Sequence, residues 1–393
     1  MPLFSSCRKR SIDNGRSKPS IRSRWESCKI SVEESSTLML NRINTLAQEL
    51  AEYAISDENS VCTSGLSLYY NLLLLFSSAG RETCPSSDMI LKLSLTPKTI
   101  LAFQVVLDAL GSDVLPAAAV FVRERKVDSV INDTIATTQR MLLRSTTQPL
   151  TTAAAVNMWS YKHTNGRIHE VLSEGLKPEE RMLLLSTLCF KADWLDPFDT
   201  HLTVDQPFSL LSGATVLAPT MFKESTEALW ESDVSMGFVK RFRDTKYDIR
   251  ALFSLPKDEG KQGLLSAIKE LSTAFPEEEA SFVKMAISIP RFQITSSTDC
   301  NDLLTQLGLG SVFRDFQFVA MASSPTLAVN LVRQTVSVQV CEKGTEPTPF
   351  SAEGVVEETE SPELRFDRPF AFALIGGETN TRLAVATVVN PLE

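Results

Sequence analysis

The hydrophobic period of this chain changes near residue 182, and no other feature restricts its fold so strongly. Before that point Leu38, Leu40, Ile43, Leu46, Ala47 and Leu50 recur at helical spacing, which predicts an amphipathic helix from about 37 to 55. A largely apolar stretch, 66–78, predicts a second helix, and helical spacing returns over 127–143 and 153–161. Beyond it the segments 182–190, 206–211, 215–222, 247–255 and 282–289 read as strands, with one later helix at 264–271. In 335–340, Val336, Val338 and Val340 alternate with Thr335, Ser337 and Gln339, the period of a half-buried strand. Two closing strands, 370–375 and 382–389, flank the turn-like 376–380. Helices first and strands later describe an α+β chain.

No internal repeat and no Pro/Gly/Ser linker divides the chain, so a single domain over 36–393 is expected behind a basic disordered tail, 1–35. The first 30 residues carry eight Lys or Arg against Asp13 and Glu26, a net of +6; with −9 overall, the remainder carries about −15. The basic opening reads as a solvated tail, or as a contact for a polyanion. It has no apolar core and is not a secretory signal peptide. No apolar run approaches the ~20 residues of a bilayer span, so no membrane partner is expected.

Seven cysteines are dispersed without CxxC or CxxH spacing, which argues for buried free thiols and against a zinc site. No metal or cofactor is expected. The triplet Asn132-Asp133-Thr134 is a glycosylation sequon. With three histidines and no HExxH, GxSxG, Walker loop or GxGxxG after a strand, the chain does not read as an enzyme. What remains unexplained is 342–364, over twenty residues between strong strands that read as neither helix nor strand; such a segment is functional or disordered.

Five blocks, in order, carry a family resemblance. They are Asn157-Met158-Trp159 with Thr164-Asn165-Gly166-Arg167-Ile168; the run 183–194, ending Phe190-Lys191-Ala192-Asp193-Trp194, with Pro197-Phe198-Asp199; Ile289-Pro290-Arg291-Phe292; Leu304 to Leu309 with Phe313; and Asp367-Arg368-Pro369-Phe370 with the 379–391 ending. The chain resembles the serpins from about residue 38 to 393. That resemblance implies eight or nine helices around three β-sheets, with an exposed reactive-centre loop near the C-terminus. It implies a monomer that offers this loop to a serine protease. The cut loop then enters a sheet as a new central strand and traps the enzyme, with stored strain driving the change. The family's hinge matches Glu342, Lys343, Gly344, Thr345 and Glu346, and counting along the loop puts the scissile bond at Glu358-Thr359. The paired serines where the sheet opens match Ser64 and Ser67; facing them, Ser186 stands where the family has Asn and Gln334 where it has His. Trp194 matches a Trp near the top of the sheet. Family habit implies an extracellular location, while the missing signal peptide leaves a cytoplasmic one open.

The hinge then departs from pattern. Pro347 and Pro349 follow where small residues are usual, and a central strand needs every N–H that proline lacks. Their shared parity places both missing donors against the same neighbouring strand. Each loss costs roughly 1–3 kcal/mol, together about 2–6 kcal/mol, and about 3 kcal/mol added to the insertion barrier slows it roughly 100-fold. Glu353, of the same parity, would carry a carboxylate under the sheet. The expectation is therefore a non-inhibitory or substrate-like serpin. The alternatives are a working suicide-substrate inhibitor of an acid-preferring protease, selected by Glu358, and a carrier protein on the same scaffold.

Overall fold

The computed structural model describes residues 21–79, 87–123, 132–273, 280–314, 327–345 and 362–393. In chain order they form α1 (Ile21–Ala54), β1 (Val61–Thr63), α2 (Gly65–Ala79), α3 (Ser87–Leu91), α4 (Pro97–Leu110), β2 (Val114–Val122), α5 (Asp133–Thr138), β3 (Thr146–Pro149), α6 (Ala153–His163) and β4 (Met182–Phe190). Then come β5 (Val204–Ser209), β6 (Thr215–Glu231), β7 (Ser235–Arg241), β8 (Arg250–Pro256), α7 (Gly260–Thr273), β9 (Ser281–Pro290) and β10 (Phe292–Asp299). The chain closes with α8 (Asn301–Leu304), β11 (Leu331–Val340), β12 (Glu363–Arg365), β13 (Phe370–Gly376) and β14 (Thr381–Val388). Helices dominate the first part and strands the rest.

Helix α2 is apolar on nearly every side and is accordingly buried along almost its whole length. Its first residue, Gly65, lies against α1 so closely that a Cβ there would stand 2.2 Å from Ile43 O. One sheet has five strands in the order β10-β11-β4-β2-β3. β4 is buried throughout because both its faces are covered. Leu184 and Leu188 join the main core with α2, whereas Leu183, Leu185 and Cys189 pack with Val156 and Trp159 of α6. β11 lies parallel to β4 and β3 parallel to β2, whereas β10 is antiparallel to β11 and β2 to β4.

The second sheet runs β1-β14-β13-β8-β7-β6-β9-β12, with β5 also on β6. The expected third sheet is one arm of this larger one: the long β6 pairs with β5 over its first residues, with β9 along its middle and with β7 at its end.

Two expectations need correction. Residues 21–35, assigned to the basic tail, belong to α1. No Pro or Gly interrupts the chain between Pro19 and Ala54, so nothing ends the helix before Ile21; residues 1–20 lie outside the described residues. β2 sits inside the part read as mainly helical. Its Pro116 and run of alanines hide the strand, and Pro116 is accommodated because it precedes the stretch of β2, Ala119–Val122, that pairs with β3. No helix among the described residues is long and apolar enough to cross a membrane.

Candidate functional site

Past Val340 the chain turns back on itself. Cys341 N donates to Gly344 O at 2.8 Å and Gly344 N to Cys341 O at 3.1 Å, closing a tight turn over Glu342 and Lys343. Gly344 then forms an antiparallel bridge with Asp193, just beyond the end of β4. Around that bridge Trp194 N donates to Lys343 O at 2.6 Å and Thr345 N to Ala192 O at 3.1 Å. Ala192 N in turn donates to Thr345 Oγ1 at 2.8 Å. Gly344 and Thr345 thus lie between the ends of β4 and β11 as the first rung of a strand antiparallel to both. Gly344 has φ 146°, and a Cβ there would stand 2.2 Å from Ala192 O, so the rung requires glycine.

Three carbonyls of this turn are held from one side. Trp194 Nε1 donates to Cys341 O at 2.8 Å, Trp194 N to Lys343 O, and Phe198 N to Glu342 O at 2.9 Å. The Trp194 indole is fully buried and stacks on Phe242, with centroids 4.2 Å apart. Glu342 is buried completely: Arg291 Nε and Thr203 Oγ1 each donate to its Oε1 at 2.6 Å. Beneath this loop Lys240 is 2% exposed, with its ammonium 3.1 Å from Glu227 Oε1 and 4.8 Å from the Phe198 ring centroid. Burial pushes the Lys240 pKa below the ordinary lysine value, against the opposing pull of Glu227. Burial likewise raises the Cys341 thiol.

Lower in the same seam the polar cluster assembles. β4 and β11 pair with Ser186 beside Gln334. Ser64 N donates to Gln334 Oε1 at 3.1 Å, and Ser67 N to Ser64 Oγ at 3.2 Å. The remaining link is Asn71 of α2, whose Nδ2 donates to Ser186 Oγ at 2.9 Å and to Arg333 O at 3.1 Å. The amide that reaches Ser186 thus comes from α2. Ser67 Oγ, Asn71 Oδ1 and Gln334 Nε2 stay buried without partners, which weakens the cluster. Trp194 is not part of it, standing roughly 25 Å further along the strand direction, with the hinge.

Ser64, Ser67, Ser186 and Gln334 therefore meet in one place, and Glu342 to Thr345 meet Trp194 in another. Glu346, Pro347, Pro349, Glu353, Glu358 and Thr359 lie outside the described residues. Asn71, Arg333, Thr203 and Lys240 were not singled out from sequence. A lone Asn in an apolar helix and a lone Lys in a strand were the signals available. Cys62, Cys189 and Cys300 are free and buried, and Cys341 is buried as well.

Comparison with known proteins points one way. A family model described as Serpin (serine protease inhibitor) matches residues 41–391. A serpin-like protein of Thermococcus kodakarensis is 28% identical over 62% of this chain and 57% of its own length. A bovine serpin is likewise spanned over only 58% of its length. Among solved structures, the native stressed conformation of Arabidopsis AtSerpin1 superposes with a TM-score of 0.76 at 23% identity, covering 92% of this chain and 99% of that one. Human thyroxine-binding globulin with thyroxine superposes at 0.77 and 19% identity, covering 92% and 100%.

Proposed function

The chain belongs to the serpin family, and on that premise we propose that it offers the segment between β11 and β12 to a serine-type endopeptidase and is cut there as a substrate rather than trapping the enzyme. The observation that carries this reading is the rung at Gly344 and Thr345. Thr345 N points to β4 and Gly344 N to β11, so in an extended continuation odd-numbered residues would donate to β4. With Gly344 opposite Asp193, Pro347 would fall opposite Phe190 and Pro349 opposite Leu188. Both missing donors would then face β4, leaving two carbonyls of a fully buried strand short of a partner, at a cost of about 2–6 kcal/mol. In the same register Glu353 would lie beside Leu184, in the main core.

The scissile bond we assign is Glu358-Thr359. A carboxylate before the bond favours a protease with a basic specificity pocket and repels a trypsin-like one. A working trapping inhibitor is the second reading, favoured by the rung already in place and by the cluster at the seam. The deciding experiment is incubation with an acid-preferring serine protease, followed by a denaturing gel and a thermal melt. A clean cut, no covalent complex and little rise in melting temperature are expected; a complex that survives denaturation would establish the second reading instead.

A further inference from the structure

We propose that Arg333 is a positioning residue that sets how readily the β4–β11 seam opens, by tying β11 to the segment that follows α6. The inference rests on the reading above, in which a cut loop would have to part these two strands. Any strand entering there must separate Leu331 to Ser337 from Leu183 to Cys189. Two side chains bridge that line from opposite faces. On the α2 side it is Asn71, bonded to Ser186 of β4 and to the Arg333 carbonyl of β11.

On the α6 side it is the Arg333 guanidinium. Nη1 donates to Val171 O at 2.7 Å, while Nε and Nη2 grip the Asp299 carboxylate, Nη2 to Oδ2 at 3.1 Å. Asp299 ends β10 and pairs with Arg333 in the sheet register, so it travels with β11. Val171 lies in the connection between α6 and β4, buried with Trp159, Leu183 and Leu185, so it travels with β4. The guanidinium is thus fixed to one half of the opening sheet by its ion pair and to the other half by a single charge-assisted hydrogen bond. Asp299 orients the planar fork so that the remaining N–H aims at Val171 O. The side chain is only 21% exposed, which limits screening of that bond. Parting the strands breaks it while leaving the Asp299 pair whole.

A latch of this kind acts locally, whereas plain packing would stabilise the entire domain. Hydrogen exchange of the full chain, read by mass spectrometry, separates the two. In Arg333→Gln the amides of 182–190 and 331–337 should exchange about tenfold or more faster, the consequence of losing one hydrogen bond to a charged group, while β13 and β14 keep their protection. Asp299→Asn retains the guanidinium but not its orienting carboxylate, so it should fall between; Arg333→Lys lacks the fork and should resemble Arg333→Gln. Unchanged exchange at the seam in both Arg333→Gln and Asp299→Asn, or acceleration extending equally to β13 and β14, overturns the proposal. A second arm adds a proline-free peptide rich in Ala, Thr and Ser, which should anneal faster to Arg333→Gln than to the parent chain. If the peptide anneals to no variant while seam exchange still rises, the latch stands and the insertion reading fails.

Discussion

Asn71 on α2 donates its side-chain amide to Ser186 Oγ on β4 at 2.9 Å, so the amide of this pair comes from the helix and the hydroxyl from the strand. The same Nδ2 reaches Arg333 O, so one amide holds both strands of the seam. Asn71→Leu would leave Ser186 Oγ and a main-chain carbonyl buried without that donor, at a cost of about 1–3 kcal/mol, measured as a lower urea midpoint with unchanged slope. The double variant Asn71→Ala, Ser186→Asn moves the amide to β4 and should recover part of the loss. If the double is as unstable as the sum of its singles, the amide has no shared role in the seam.

Gly344 is the position where a single methyl group should release the hinge. Its φ of 146° and the 2.2 Å approach of a built Cβ to Ala192 O leave no conformation for alanine in the present rung. Gly344→Ala is expected to break the Thr345 to Ala192 bond and expose Thr345, now 3% accessible. Because unclipping relieves the strain, the melting temperature should change little while exchange at Ala192 and Thr345 rises steeply. A variant with full protection at Thr345 would contradict this geometry.

Much of this architecture was legible in the sequence, and the gaps have physical causes. β4 was read at its observed bounds because both faces are covered and the segment is apolar without a break. β2 was missed because Pro116 and three alanines are poor strand residues; Pro116 is tolerated because it precedes the residues that pair with β3. The hinge pattern located Glu342 and Gly344, but not the Arg291 and Thr203 side chains that hold Glu342, which come from segments distant in sequence. The direction in which Pro347 and Pro349 would face depends on the Thr345 to Ala192 bond, a tertiary fact that parity alone leaves ambiguous between two neighbours.

Lys240 offers a test with a pH dependence. It is 2% exposed, and Glu227 Oε1 at 3.1 Å is its one carboxylate partner among the described residues. Glu227→Ala leaves a buried ammonium unpaired and should cost about 3 kcal/mol at neutral pH, whereas Glu227→Ala with Lys240→Met should be close to neutral. Burial holds the Lys240 pKa below that of an unfolded lysine, so between the two values the unfolded chain binds more protons and stability rises with pH. The deficit of Glu227→Ala should therefore shrink as pH climbs through the folded pKa towards the ordinary lysine range. A deficit that widens over that range in chemical denaturation would show that the folded ammonium is not the disfavoured form.

The strongest prediction concerns the two prolines. In the parent chain each would deprive β4 of a donor on the path of insertion, at Phe190 and at Leu188, and trapping must outrun hydrolysis of the acyl-enzyme. Restoring both donors in Pro347→Ala, Pro349→Ala removes about 2–6 kcal/mol of opposition, and even about 3 kcal/mol of that, if felt at the barrier, accelerates insertion roughly 100-fold. Incubated with a protease that cuts the loop, the double variant should yield a covalent complex on a denaturing gel where the parent yields only cleaved chain. The cleaved double variant should also melt far above its uncleaved form. Because Glu353 would lie beside Leu184 in the main core, adding Glu353→Ala should raise the trapped fraction again. Cleavage without any complex in the triple variant would mean that the prolines are not what limits insertion, and that the barrier lies in the seam itself, where Asn71 and Arg333 bridge β4 and β11.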